Sequence, residues 1–171
     1  FTDVSQHAGI IYEGYSLGLN ICDINNDGWK DIYITNDFLS NDLLYINNQD
    51  GTFSNKLKDY LNHTCYSAMG NDVVDINNDA LPDIIALDML PNDNFRKKTM
   101  LGANNYSNLI NNNAYNFTHQ LVRNVVQLNR GMPDGEQIVF SDIANLAGVQ
   151  ATDWSWAPLI ADFDADGIRD L

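Results

Sequence analysis

Basic residues are scarce in this sequence. Nine Lys and Arg stand against 23 Asp and Glu, a formal net charge of -14, which removes electrostatic attraction to nucleic acid or to an anionic membrane and favours cations as partners. Long apolar runs are missing too. None approaches the roughly 20 residues that span a bilayer, and no basic stretch leading into an apolar one opens the chain. No direct membrane insertion is expected, and any export signal is expected upstream of Phe1. Cysteine is limited to Cys22 and Cys65, too few and too far apart for a disulfide framework. They read as small buried residues, and pairing requires their Cα atoms to approach within roughly 7 Å. His7, His63 and His119 share no metal-ligand spacing and have no Ser or Cys partner in sequence, so they read as ordinary surface or core residues. Disorder is excluded by a hydrophobic content of 44% with 11% aromatics, enough for a core in 171 residues. The sequons at Asn62, Asn105 and Asn116 matter only in a glycosylating pathway and read as chance in so Asn-rich a chain.

What the chain does have is an internal repeat. The segment Phe1 to Gly9 returns as Phe140 to Gly148, with a weaker copy from Phe53, and 22 residues beyond each of these phenylalanines stands the first Asp of an acidic loop: Asp23, Asp75 and Asp162. This register divides the chain into a first repeat over 1–52, a second over 53–139 and a truncated third over 140–171. Within the first, the β-rich runs Gly18 to Cys22, Asp31 to Thr35 and Leu43 to Ile46 are separated by Asn, Asp and Gly turn signals, with a hairpin turn at Asn48 to Gly51. The expected fold is all-β, a partial propeller of about three four-stranded blades. The extra length of the second repeat, about 90–127, reads as a loop with one or two short helices. It carries the basic cluster Arg96, Lys97 and Lys98, a solvated helix face, and an Asn-rich stretch from Asn104 to Asn116. Trp29, Trp154 and Trp156 are expected to fill space between blades rather than form a sugar-stacking platform.

The acidic loops carry the functional signal. Asp23, Asn25, Asp27 and Asp31 occupy positions 1, 3, 5 and 9 of the first, with Gly28 at position 6 for the sharp turn and the Trp29 carbonyl at position 7. The second uses Asp75, Asn77, Asp79, Asp83 and the Leu81 carbonyl, with Ala80 in place of glycine. The third uses Asp162, Asp164, Asp166, Asp170 and the Ile168 carbonyl. Hard oxygen donors without Cys or His select calcium, up to three ions in all. An EF-hand is excluded because position 12 is Ile34 in the first loop and Ala86 in the second, and β-type sequence follows each.

The segments Asp23-Ile-Asn-Asn-Asp-Gly-Trp-Lys-Asp-Ile-Tyr-Ile-Thr35 and Asn47-Asn-Gln-Asp-Gly-Thr-Phe53 resemble the FG-GAP or VCBS repeats of integrin-α-like β-propellers. Met89 to Pro91, Arg123-Asn124, Gln127 to Asn129 and Thr152 to Pro158 are further similar to the bacterial VCBS proteins related to cartilage acidic protein, which often end in an ASPIC/UnbV domain. The resemblance implies an exported propeller with calcium in blade-edge loops and a role in adhesion or recognition. The reading is a non-catalytic calcium-binding module, extracellular or at the cell surface, part of a larger chain or surface assembly, with a protein or glycan ligand. The alternatives are an accessory subunit for nutrient capture, contacting its assembly through the insertion, and the propeller part of a hydrolase.

Overall fold

The computed structural model describes residues 1–100 and 106–171; the sequon at Asn105 and the first residue of the Asn-rich stretch, Asn104, lie outside the described residues. The chain is mostly β. Strands β1 (Tyr15–Cys22), β2 (Asp31–Asp37), β3 (Leu43–Asn47) and β4 (Phe53–Asn55) form a four-stranded antiparallel meander. After a short helix α1 (Leu57–Tyr60) and β5 (His63–Cys65), a second antiparallel sheet is built from β6 (Asn71–Val74), β7 (Asp83–Ala86), β9 (Val125–Asn129) and β10 (Phe140–Asp142), in that spatial order. Between β7 and β9 the expected insertion supplies α2 (Asn94–Thr99), α3 (Tyr106–Ala114) and β8 (His119–Leu121), and β8 pairs in parallel with β5. Of about three expected four-stranded units the described residues form two. The third acidic segment is closed by a single bridge, Ala161 to Asp170. Among the described residues no helix is long and apolar enough to cross a membrane.

Local chemistry explains most of these elements. The β3–β4 hairpin turns through Gln49 at φ 66° and Gly51 at φ 87°, the left-handed backbone that a hairpin of this twist demands. Asp93 caps α2 by accepting the Arg96 N–H at 2.9 Å, and α2 buries no residue, so Arg96, Lys97 and Lys98 do form a solvated face. Strand β7 is buried throughout, and alternate side chains point to opposite faces. Ile84 therefore joins a core with Tyr33, Leu44 and Leu57 between the two sheets, while Ile85 joins Val126, Ala144 and Ile160 on the far side. Sheet one is tied to sheet two by Thr35, whose Oγ1 donates to the Met69 carbonyl and accepts from Asn71 Nδ2, both at 2.9 Å.

Phe53 and Phe140, which head the sequence repeats, each lie in the last strand of the preceding sheet. Cys22 and Cys65 are free thiols, half-buried and buried, and burial pushes the Cys22 thiol up to about 12. The tryptophans depart from expectation. Trp29, Trp154 and Trp156 are exposed and stand on segments outside the strands.

Asp42, the last residue of the β2–β3 loop, ties that loop back to β2. Fully buried, it accepts the Asn36 N–H at 2.9 Å and the Tyr33 hydroxyl at 3.0 Å. Burial nevertheless dominates, and its carboxyl is pushed up to about 7 from an ordinary 3.8. Between those two values the folded chain holds a proton that the unfolded chain has lost, so stability falls as pH rises through the window, by an amount on the order of a few kcal/mol. Replacing Asp42 with Asn keeps an acceptor for Asn36 and removes the ionisation. The fall in unfolding midpoint between about pH 5 and pH 8 is expected to be shallower in Asp42→Asn than in the wild type, as read by thermal melts across that range.

Candidate functional site

All three acidic loops sit at equivalent places, joining β1 to β2, β6 to β7, and the two sides of the Ala161–Asp170 bridge. Their internal hydrogen bonds repeat atom for atom. The position 1 carboxylate accepts from the position 5 and position 6 amides: Asp23 from Asp27 and Gly28 at 3.0 and 2.8 Å, Asp75 from Asp79 and Ala80 at 3.1 and 2.8 Å, Asp162 from Asp166 and Gly167 at 3.0 and 2.9 Å. The position 5 carboxylate accepts the position 7 amide, from Trp29, Leu81 and Ile168, at 2.7 to 2.9 Å. Amides aimed at carboxylates hold the oxygens in place and offset part of their mutual repulsion. The Trp29 amide is the main reason the Asp27 carboxyl is held below the usual carboxylate range.

Position 9 has a second task. Asp31 Oδ2 accepts the Ile24 N–H and its Oδ1 accepts the Asn47 N–H, both at 2.8 Å; Asp83 does the same with Ile76 and Asn129. Both aspartates are fully buried. Burial raises their carboxyls, against the pull of those amides. Each pins its loop to the body of the sheet. In the third loop Asp170 Oδ2 accepts the Phe163 N–H at 3.0 Å, and the residue is exposed.

Position 3 sets the loops apart. Asn25 and Asn77 donate from Nδ2 to Asp27 and Asp79, at 2.9 and 3.0 Å. Asp164 stands there in the third loop, and the ligand oxygens of Asp162, Asp164 and Asp166 all lie within 4.8 Å of one another. Three carboxylates so placed can share one cation, and their oxygen-only chemistry fits a hard divalent ion.

Two features of the loops lay in the sequence unread. Position 4 takes a left-handed backbone in every loop: Asn26 at φ 56°, Asn78 at 60° and Ala165 at 61°. Its asparagines also link neighbouring loops, Asn26 Nδ2 donating to the Ala80 carbonyl and Asn78 Nδ2 to the Gly167 carbonyl, both at 2.9 Å. The signal available was Asn at position 4 in both loops, the residue that best tolerates this conformation after glycine. Position 6 behaves as its glycines suggest, with φ 89° and 88° at Gly28 and Gly167. Ala80 is held at 67° in the same role. A methyl side chain there costs about 1 kcal/mol, so Ala80→Gly is expected to raise the unfolding midpoint by roughly 2–4 °C, and Gly28→Ala to lower it by a similar amount.

These sheets and loops define a β-repeat protein with acidic turns. Residues 23–86 match the family profile of the FG-GAP-like repeat. The matched segment starts at position 1 of the first loop and ends with β7, so it contains the first two acidic loops in full. No curated protein matches the chain.

Proposed function

We propose that this chain is a calcium-binding, non-catalytic repeat module of an exported or cell-surface protein, serving adhesion, recognition or scaffolding, and that its sheets are blades of a propeller. The observation that carries the reading is the triple recurrence of one hydrogen-bond pattern around positions 1, 5 and 9, with the Asp162, Asp164 and Asp166 oxygens drawn together in the third copy. Calcium would be held there by those carboxylates, with the Ile168 carbonyl and Asp170 completing an oxygen set, and by the corresponding residues of the first two loops. The ion would supply charge neutralisation that fixes loop to sheet, not chemistry on a substrate. Exposed, charge-rich loops of repeat modules fill where calcium is abundant, at about 0.1 to 1 mM, which supports a place outside the cell. Propeller packing is supported by the stripe Leu17, Leu19 and Ile21 on β1. These alternate residues are all exposed, 47% to 64%, and form an apolar face of the pattern that a neighbouring blade would cover.

Equilibrium dialysis against calcium, magnesium and zinc tests the metal. Up to three calcium ions per chain, with magnesium and zinc failing to compete at equal concentration, is the expected result. Absence of calcium uptake at about 5 mM, well above the range for such modules, sinks the reading.

A further inference from the structure

We infer that a cleft between the β2–β3 loop and α3 is a binding site for a neutral oligosaccharide. It lies at the end of the sheets opposite the acidic loops, since β2 runs from Asp31 of the first loop to Asp37, where this cleft begins. The cleft has a volume of about 280 Å³, near the small end for ligand sites, and its walls are Tyr15, Phe38, Tyr115 and Phe117 with Asn111 and Asn112 between them. No charged side chain lines it.

The aromatic rings are presented rather than packed away. Tyr15, Phe38 and Tyr115 are 65%, 56% and 70% exposed. Phe38 meets Tyr15 edge-on at 6.4 Å, and Tyr115 stacks with Phe117 at 5.7 Å, giving two aromatic walls. Phe38 and Leu39 hold consecutive left-handed backbones, φ 45° and 64°, which bulky residues adopt only when the surroundings force them. The loop that carries them is tied back to β2 at its far end, where the buried Asp42 accepts from Asn36 and Tyr33. Strain kept in order to expose a phenylalanine ring belongs to a ligand surface rather than to a core.

The polar half of the site is equally specific. Asn112 is buried and is shared with a neighbouring cleft of about 300 Å³ that also takes in Asn113, Asn116 and Thr118. A third cleft, again touching Asn112, is lined by Gln120. Thr118 and Gln120 are 4% and 6% exposed, and their side-chain oxygens Oγ1 and Oε1 find no hydrogen-bond partner among the described residues. A buried polar oxygen without a partner is destabilising, and a hydroxyl-rich ligand that inserts between Asn112, Thr118 and Gln120 would relieve that cost. Sugar rings carry apolar C–H faces that stack on aromatic rings and hydroxyls that both donate and accept, the pairing that amides and aromatic rings serve. The absence of charge in the main cleft and a net charge of -14 argue against acidic polymers.

The test uses the whole chain in saturating calcium and four neutral hexasaccharides: β-1,4-linked glucose, β-1,4-linked mannose, β-1,4-linked N-acetylglucosamine and α-1,4-linked glucose, with polygalacturonate as the acidic comparison. Saturation-transfer NMR and calorimetry are expected to register saturable binding of at least one hexasaccharide. Tyr115→Ala and Phe38→Gly should each weaken it at least about tenfold. Because Phe38→Gly also relieves the left-handed strain, its unfolding midpoint should not drop, which separates a lost contact from a lost fold. Calcium uptake, read by equilibrium dialysis on the same samples, reports on the acidic loops separately, so failure of the calcium reading and failure of this one are told apart. Four hexasaccharides that do not bind at about 10 mM, a range that already detects the weakest specific contacts, would overturn the inference. So would binding of polygalacturonate alone, or binding that both substitutions leave intact.

Discussion

Removing calcium is expected to lower the unfolding midpoint of this chain by roughly 5–10 °C for each site that empties. A site filled at about one hundred times its dissociation constant adds about 2.7 kcal/mol, and a domain of this size moves roughly 2–4 °C per kcal/mol. The loops hold ten carboxylates. In each, two amides already point at the position 1 carboxylate and one at position 5, so the turn is formed in advance and an ion bound there would not have to pay for loop closure. The informative substitution is Asp166→Asn. Asparagine keeps an oxygen to accept the Ile168 N–H, now 2.7 Å from Asp166, but removes one of the three clustered charges. Without calcium the variant is expected to melt at or above the wild-type temperature, since repulsion falls. With about 10 mM calcium its gain should shrink by the share of one site. Asp27→Asn should behave alike in the first loop. A wild-type midpoint that ignores calcium would remove the metal from the account of this fold.

The acidic loops were legible because their grammar is local: nine residues contain the donors, the turn and the strand that follows. Glycine at position 6 and the Asn48 to Gly51 hairpin were readable for the same reason, since a positive φ leaves its mark on residue choice. Buried strands such as β7 were legible as strands, but not which side chain faces which core, because Ile84 and Ile85 are chemically alike and only the neighbours in space distinguish them. The sheets were read out of phase with the repeat, since the partner of Phe53 is Asn47 on the adjacent strand and the partner of Phe140 is Asn129 across a hairpin; pairing of this kind is not periodic in sequence. The β5–β8 pair joins His63 to His119 in parallel across 55 intervening positions, with no pattern to announce it. Arg123 and Asn124 were noted as part of a resemblance. The structure gives them physical work as struts: Asn124 accepts the Asp88 N–H and donates to the Val149 carbonyl and to Thr152 Oγ1, all at 2.8 Å.

Arg123→Met is expected to destabilise the chain by about 3 kcal/mol, roughly 6–12 °C in midpoint. Arg123 Nη2 lies 2.6 Å from Asp142 Oδ2, and His63 Nε2 lies 2.7 Å from the same oxygen. Asp142 Oδ1 accepts the Ala144 and Val126 amides at 2.8 and 3.2 Å. The Asp142 side chain is 5% exposed, so this cluster fastens the last strand of sheet two to β5 and to the segment after β8. Burial pushes the Asp142 carboxyl up, but His63, the two amides and Arg123 outweigh it and hold the group at about 2. A depressed carboxylate stabilises the fold fully above its ordinary value near 3.8 and loses that contribution as pH falls towards 2. Removing the guanidinium leaves burial less opposed, so the carboxyl rises and the acid limb of the stability profile moves to higher pH. Arg123→Lys should recover only part of the loss, since an ammonium presents a point charge where a planar fork now reaches both Asp142 and the Asn124 carbonyl. Combining Arg123→Met with Asp142→Asn should cost less than the two single changes added together, because the neutral amide no longer leaves a buried charge alone. Strict additivity in that double-mutant cycle, with an unmoved acid limb, would mean that the cluster contributes packing and nothing electrostatic.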